Sequence, residues 1–328
     1  MLLYDIRPDR GTPCGGDRSH AALACLRAED PAAARMLDAR DGAALRFGAQ
    51  THWFRGGEAC LGPLLTHLRA ARTRIWLALA DAGPGVVWDT VLTILRRHAA
   101  RGADVRLLLG PRCLLPGLRA LGNMRIRWTR RGLRPAGMNA ILIDADVCYA
   151  GAIALRDDWA GLRSSQTPWL APCLRLEGGA VEVFAARFAA LWQAAAGQAL
   201  PDTPPAEGSG GYCYVLPLAD GQALRTAVLR MIQRAERSVW LLTPELGPAL
   251  GRALRLTARS GVEVRILCAR GRLSPDLCAS ACDGVRVCGM ACCVDGTAAA
   301  VGDRGGGLWI YGDGAEGLGE MLACLAVH

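Results

Sequence analysis

The sequence has no lysine. All 38 of its basic residues are arginine, set against 30 acidic ones, for a formal net charge of +8 at pH 7. Histidine is nearly absent too. The five copies fall at His20, His52, His67, His98 and His328, so none lies between Arg101 and Val327. Every mechanism that needs an ammonium group is thereby excluded, and so is every one that needs an imidazole from that long stretch. Uninterrupted apolar runs of about 18 residues are also missing. The longest apolar segments, such as ARFAALWQAAAG (186–197), are short and broken by Arg187 and Gln193, so no membrane-spanning helix is expected. The start, MLLYDIRPDR, has neither the cationic nor the apolar region of a secretory leader. Without export the fourteen cysteines are expected to be reduced. The expected location is therefore cytoplasmic, with a peripheral place at the inner face of a membrane as its extension.

What is present suffices for a large core. The 328 residues are 52% hydrophobic and 21% charged, which excludes a disordered tail, a collagen-like rod and a small disulfide scaffold. The length suits one large domain or two ordinary ones. The positive charge favours anionic partners such as phospholipid headgroups, nucleic acid or acidic proteins, or simply keeps the chain soluble.

The chain divides at PDTPPAEGSGG (201–211), whose composition is that of a linker. This gives a lead-in over 1–45, a first domain over 46–200 and a second over 212–328. The two parts repeat each other. LRAARTRIWLALA (68–80) matches IQRAERSVWLLTP (232–244), each a helix end running into a buried strand. LRRHAARGADVRLLLG (95–110) matches LRLTARSGVEVRILCA (254–269), each an amphipathic helix, a glycine stop at Gly102 or Gly261, and an interior strand. ILIDADVCYAGA (141–152) matches ACCVDGTAAAVGD (291–303), each a strand, a turn at Asp and a second strand. Helices alternating with strands predict an α/β layered fold with two mixed sheets. Trp76 and Trp240 occupy matching places and read as core. Val181, Phe184, Phe188, Leu191 and Trp192 share one helical stripe and read as a core-facing helix.

These duplicated segments, with GEACLGPLLTHLRAARTRIWLALA, PWLAPCLRLEGGAVEVFAARFAALW, GYCYVLPLADG and the closing GGGLWIYGDG, resemble the phospholipase D superfamily and, within it, bacterial cardiolipin synthases. The resemblance covers about residues 46–328. It implies a duplicated α/β/α sandwich whose halves meet about a pseudo-twofold axis. It also implies one H-x-K-x-x-x-x-D motif per half at the interface. One motif histidine would attack phosphorus, the other would protonate the leaving alcohol, and the lysines would hold the phosphate oxygens. Both duties of imidazole depend on its titration near neutral pH, and the ammonium groups neutralise charge that grows on phosphorus.

Aligning each motif on its aspartate gives Gly137, Asn139 and Asp144 in the first half and Cys288, Met290 and Asp295 in the second. Both aspartates are kept; both histidines and both lysines are gone. The Gly-Gly-x-Asn pattern downstream reads Gly151-Ala152-Ile153-Ala154, and the loop after Gly302 is shortened to DRGGG. Cys288 is the remaining candidate nucleophile, but a reactive thiol needs a cationic neighbour or a helix N-terminus, and Gly289 and Met290 supply neither. The expectation is a protein that no longer catalyses, with no cofactor. Asp144 and Asp295 are expected to cap turns.

The binding candidate is RALGNMRIRWTRRGLR (119–134). Alternation places Arg125 and Arg127 on one strand face, and Arg130, Arg131 and Arg134 fall in the loop leading to the first motif. Guanidinium suits phosphate through bidentate pairing, while the bland reading is a solvated basic face. Expected partners are an anionic phospholipid, a phosphorylated ligand or an active cardiolipin synthase relative. The enzyme reading requires phosphatidyl transfer or phosphodiester cleavage through Cys288. The nucleic-acid reading is disfavoured, because only Trp128 interleaves the arginines. No metal is expected: Cys278, Cys282, Cys288, Cys292 and Cys293 lack the C-x-x-C spacing of zinc sites, and Cys292 and Cys293 should face opposite sides of a strand. His98 is expected on an exposed helix face.

Overall fold

A computed structural model describes residues 49–129, 138–162, 169–200, 213–218, 221–270, 278–281, 286–303 and 306–326. The lead-in, the linker and Arg130, Arg131, Arg134, Gly137 and Cys282 lie outside these, as does the side chain of Cys278.

The first half runs β1 (Ala49–Phe54), α1 (Gly57–Ala70), β2 (Arg74–Ala82), α2 (Val86–Ala100), β3 (Asp104–Cys113), β4 (Met124–Trp128), β5 (Ala140–Ile143), β6 (Val147–Gly151), β7 (Trp169–Leu170), β8 (Cys173–Gly178) and α3 (Ala180–Ala196). The second runs β9 (Cys213–Leu218), α4 (Gly221–Gln233), β10 (Ser238–Glu245), α5 (Pro248–Arg259), β11 (Glu263–Arg270), β12 (Cys278–Ala281), β13 (Arg286–Val287), β14 (Met290–Val294), β15 (Ala298–Asp303), β16 (Gly306–Gly312) and α6 (Asp313–Ala326).

Two seven-stranded sheets result, ordered β4-β3-β2-β5-β6-β8-β1 and β12-β11-β10-β14-β15-β16-β9. Read in parallel, the two orders are the same topology. In each, three neighbouring strands are parallel and the rest antiparallel, giving mixed sheets. The central strand β2 is buried along most of its length, as a strand covered on both faces must be. Gly102 (φ 95°) and Gly261 (φ 91°) follow α2 and α5 and reverse the chain into β3 and β11. The hairpins β5–β6 and β14–β15 pair as the repeat implies.

The structure adds β1 and β9, which the repeat does not announce. Both are six-residue edge strands. Such strands carry little periodic signal, and Pro217 in β9 is tolerated because an edge strand need not donate on its free side. Trp76 therefore sits in the second strand of its half rather than the first.

The core between the sheets draws on both halves. Trp76, Leu142 and Leu174 of the first sheet, Val215, Val301 and Leu308 of the second, and the buried stripes of α3 and α6 form one cluster. Val181, Phe184, Phe188 and Trp192 of α3 are buried there, with Leu191 partly so. The Phe188 ring stacks between Trp76 at 5.0 Å and Trp192 at 5.9 Å. Each closing helix packs on its own sheet and also reaches across to the other half: α3 touches β9 and α6 touches β1. The Trp53 indole N–H donates to the Gly314 carbonyl at 2.7 Å. Gly317 passes so close that a Cβ there would lie 3.0 Å from the Trp53 ring.

Because that core is common property, neither half can lose its packing alone. Chemical denaturation followed by circular dichroism and by tryptophan fluorescence should give one coincident transition. Two separated transitions would contradict it.

Candidate functional site

Asp144 and Asp295 end β5 and β14, and they are the only non-glycine residues with positive φ among those described, at 51° and 54°. Aspartate tolerates this left-handed conformation better than most side chains. Each carboxylate then faces the turn between a helix and the first parallel strand. Asp144 accepts the backbone N–H groups of Arg72, Thr73 and Arg74 at 2.8–3.2 Å, and the Thr73 hydroxyl at 2.8 Å. Asp295 accepts those of Glu236, Arg237 and Ser238 at 2.8–3.0 Å. Burial acts against ionising Asp144, but these donors outweigh it and hold its carboxyl below the usual range. The arginines opposite, Arg74 and Arg237, each donate back to the aspartate carbonyl.

Among the described residues, the aspartate of each motif is remote from the aligned position five residues before it. Asn139 precedes β5 and Asp144 follows it, so the four residues of β5, five steps of extended chain or about 16 Å, part them. Met290 and Asp295 are parted in the same way by β14. Gly137 lies outside the described residues.

Asn139, at the first lysine position, is buried and its amide is committed. Its Oδ1 accepts the Ala80 N–H at 3.3 Å, and its Nδ2 donates to the carbonyls of Gly151 at 3.0 Å and Ile153 at 2.8 Å. Both donors of the amide are thus spent on backbone. Met290, at the second lysine position, packs against the core of the second sheet.

Cys288 stands where the halves meet. Its N–H donates to the Leu170 carbonyl at 2.8 Å. Beside it, β13 of one half pairs in parallel with β7 of the other, matching Arg286 with Trp169 and Val287 with Leu170. Next in the chain, Gly289 (φ 96°) lies so close to the other half that a Cβ would come within 3.0 Å of Ala152. The expectation that Cys288 lacks a cationic neighbour needs correction. Arg286 places positive charge beside the thiol, and its guanidinium lies 4.3 Å over the Trp169 ring. Gly289 and Met290, which follow the cysteine, carry no charge; the cation comes from two residues before it. Burial still dominates: it pushes the thiol up, Asp158 and Asp81 add to the rise, and Arg286 only partly offsets them.

Other charges near this seam are paired. Arg156 Nε meets Asp158 at 3.1 Å, and its Nη1 lies 3.6 Å from Asp81. Burial opposes the charge on Arg156, but these two carboxylates raise its pKa above the ordinary value. Arg112 of one half reaches Asp303 of the other at 3.3 Å. None of these was singled out from sequence, and no motif marks them; only their convergence in space does.

Arg125 and Arg127 are found where alternation places them, on β4, an edge strand. The Arg125 guanidinium donates to the carbonyls of Gly122 and Met124, and that of Arg127 to Ile126. The Arg127 guanidinium also lies 5.7 Å over Trp192. Arg127 and Ala140, the neighbour of Asn139, sit at one level of the sheet but three strand spacings apart, about 14 Å. Cys292 and Cys293 face opposite sides of β14, one in the core of the second sheet and one in the shared core. Burial pushes the Cys293 thiol up to about 11 and raises that of Cys292 as well. No three His, Cys, Asp or Glu among the described residues are grouped as a metal ion would require. His98 is a correction: it is 5% exposed, because it falls on the side of α2 that packs inward beside Leu95 and Ala99 rather than on the arginine face.

No protein-family model matches the chain. It is 23% identical over 264 residues to a cardiolipin synthase of Listeria welshimeri, covering 71% of this chain and 54% of that protein. It is 28% identical over 200 residues to the major cardiolipin synthase ClsA of Bacillus subtilis, covering 53% and 41%. The chain thus spans about half the length of these curated relatives. Among solved structures, the phosphatidylserine synthase of Haemophilus influenzae superposes with a TM-score of 0.62 at 11% identity, over 86% of this chain and 88% of that one. The chain resembles cardiolipin synthases of the phospholipase D superfamily, and its fold is the mixed α/β fold of that superfamily.

Two measurements test this geometry. Asp144→Ala should cost about 2–3 kcal/mol, through unsatisfied N–H groups and a strained left-handed alanine, and Asp144→Asn about 1 kcal/mol. The folded carboxyl titrates below its unfolded value, so its stabilisation is present above about pH 4 and fades as pH falls below that. Urea midpoints measured from pH 7 to pH 3 should show the gap between wild type and Asp144→Asn shrinking at the acid end. Separately, iodoacetamide at pH 7 followed by peptide mass mapping should label exposed Cys324 well before Cys288; faster labelling of Cys288 would show an activated thiolate.

Proposed function

We propose that this chain is a phospholipase-D-fold protein without phosphoryl-transfer chemistry, which binds an anionic phospholipid or a phosphorylated ligand at the membrane surface. One observation carries the first part. The position that would hold a phosphate-neutralising lysine is Asn139, whose two amide donors are committed to Gly151 and Ile153. The absence of any lysine, and of histidine between Arg101 and Val327, leaves no familiar substitute. Guanidinium can bind phosphate but stays charged, so it cannot act as the proton donor. Losing one member of a coupled catalytic set forfeits most of the rate, and here all four are replaced.

Support for binding comes from charge placement. Two arginines at the seam between the halves have carboxylate partners, Arg112 with Asp303 and Arg156 with Asp158, and a third, Arg286, lies over the Trp169 ring. Arg125 and Arg127 instead present exposed guanidinium groups on an edge strand without an ion pair among the described residues. The relatives are cardiolipin synthases, which fits a phospholipid surface as the ligand. Among the described residues no helix is long and apolar enough to cross a membrane, so contact would be peripheral.

Purified protein should co-sediment at low salt with phosphatidylglycerol or cardiolipin vesicles and not with phosphatidylcholine vesicles. Binding should weaken with added salt and in Arg125→Glu/Arg127→Glu. Lipid extracted from the same samples should contain no new product. Failure to bind at low salt would remove the lipid reading, and cardiolipin formation abolished by Cys288→Ala would make the protein an enzyme.

A further inference from the structure

Away from the seam, an open groove of about 620 Å³ runs along the outer face of α2, with Arg69 of α1 at its edge. Its volume falls in the range of small-molecule sites. One wall is a stripe along α2 that passes through Val86, Ile94 and Arg97 to Arg101, spaced three or four residues apart per turn. It extends over the whole helix, about 22 Å. The groove is polarised along that length. Asp89 lies near one end; Arg69 from α1 joins Arg97 and Arg101 at the other. All three arginines are exposed, and none has an ion pair among the described residues.

Cations at a helix C-terminus commonly serve the last carbonyls, but that duty is already filled. The His98 carbonyl accepts the N–H groups of Arg101 and Ala103, and the Ala99 carbonyl accepts those of Gly102 and Asn123. The guanidinium groups are left for something else. Beneath them His98 is 5% exposed and lines the groove.

We propose that this groove binds an amphipathic phosphate ester. Its phosphate sits among Arg69, Arg97 and Arg101 and takes a hydrogen bond from the His98 ring, and its apolar part lies along Ile94 towards Val86. Three guanidinium groups around one donor match a phosphate dianion better than a single carboxylate. The site is independent of Arg125 and Arg127, which lie on the edge strand β4, outside the groove lining.

The test uses the full chain carrying Arg125→Glu/Arg127→Glu, so that the surface proposed above is silent. Three probes are titrated: glycerol 3-phosphate, dihexanoyl phosphatidic acid, and phosphatidylcholine vesicles with or without phosphatidic acid. Saturable binding of glycerol 3-phosphate would assign a soluble ester. Binding only of the short-chain lipid or the phosphatidic acid vesicles would assign a lipid headgroup. In either case Arg97→Glu/Arg101→Glu should weaken binding about tenfold or more. The neutral pair Arg97→Gln/Arg101→Gln should weaken it less, and it serves if the reversed charges unfold the chain. With ¹⁵N-histidine label, the His98 ring signals should shift on titration. No saturable binding of any probe, binding indifferent to Arg97 and Arg101, or a His98 ring that does not respond would overturn the proposal.

Discussion

Each half turns from its first helix into its first parallel strand around a single carboxylate. At both places the aspartate backbone is left-handed, and three consecutive N–H groups converge on the side chain. Without an acceptor there, the donors that leave α1 and α4 would have to find water at a place where β2 and β10 are about to enter the core. The interaction also fixes register. The Asp144 N–H donates to the Arg74 carbonyl and the Asp295 N–H to that of Ser238, which sets β5 against β2 and β14 against β10. Everything at the opposite ends of those strands, the seam included, inherits its position from these turns. Both aspartates thus have a duty in the architecture itself, independent of any ligand.

Much of this was legible in the sequence, and the exceptions are instructive. The interior strands, the two hairpins, the glycine stops and the α3 stripe all carry strong periodicity or a turn residue with a mechanism, and the structure places them as expected. The edge strands β1 and β9 were silent because a short strand at a sheet margin needs no clean alternation. The two arginines before His98 suggest a polar face, whereas a helix turns about 100° per residue and the next position can already look inward. The cation beside Cys288 is Arg286, two residues back along extended chain, where side chains at i and i+2 share a face. The ion pairs of Arg156 and Arg112 could not have been read at all. Their partners come from separate loops and strands, and nothing local announces a long-range charge pair.

The seam itself is a place where cations and anions answer one another. A phosphate-handling cleft needs an excess of positive charge that is free to meet the ligand. Here Arg112, Arg156 and Arg286 are held by Asp303, by Asp158 with Asp81, and by the Trp169 ring, respectively. Partly exposed pairs of this sort contribute little stability one by one. Their geometry matters more for what they leave behind: among the described residues, Arg112 and Arg156 are matched by carboxylates at the seam, while Arg125 and Arg127 on the outer strand edge have no ion pair.

The contacts that the closing helices make across the halves have a consequence for how the chain folds. Part of the cover of the first half comes from residues far away in sequence: the Trp53 indole of β1 rests against Gly314 and Gly317 of α6. Contacts of such long sequence separation must wait until the intervening chain has been brought together. A fragment ending at the linker would therefore leave the β1 edge around Trp53 uncovered.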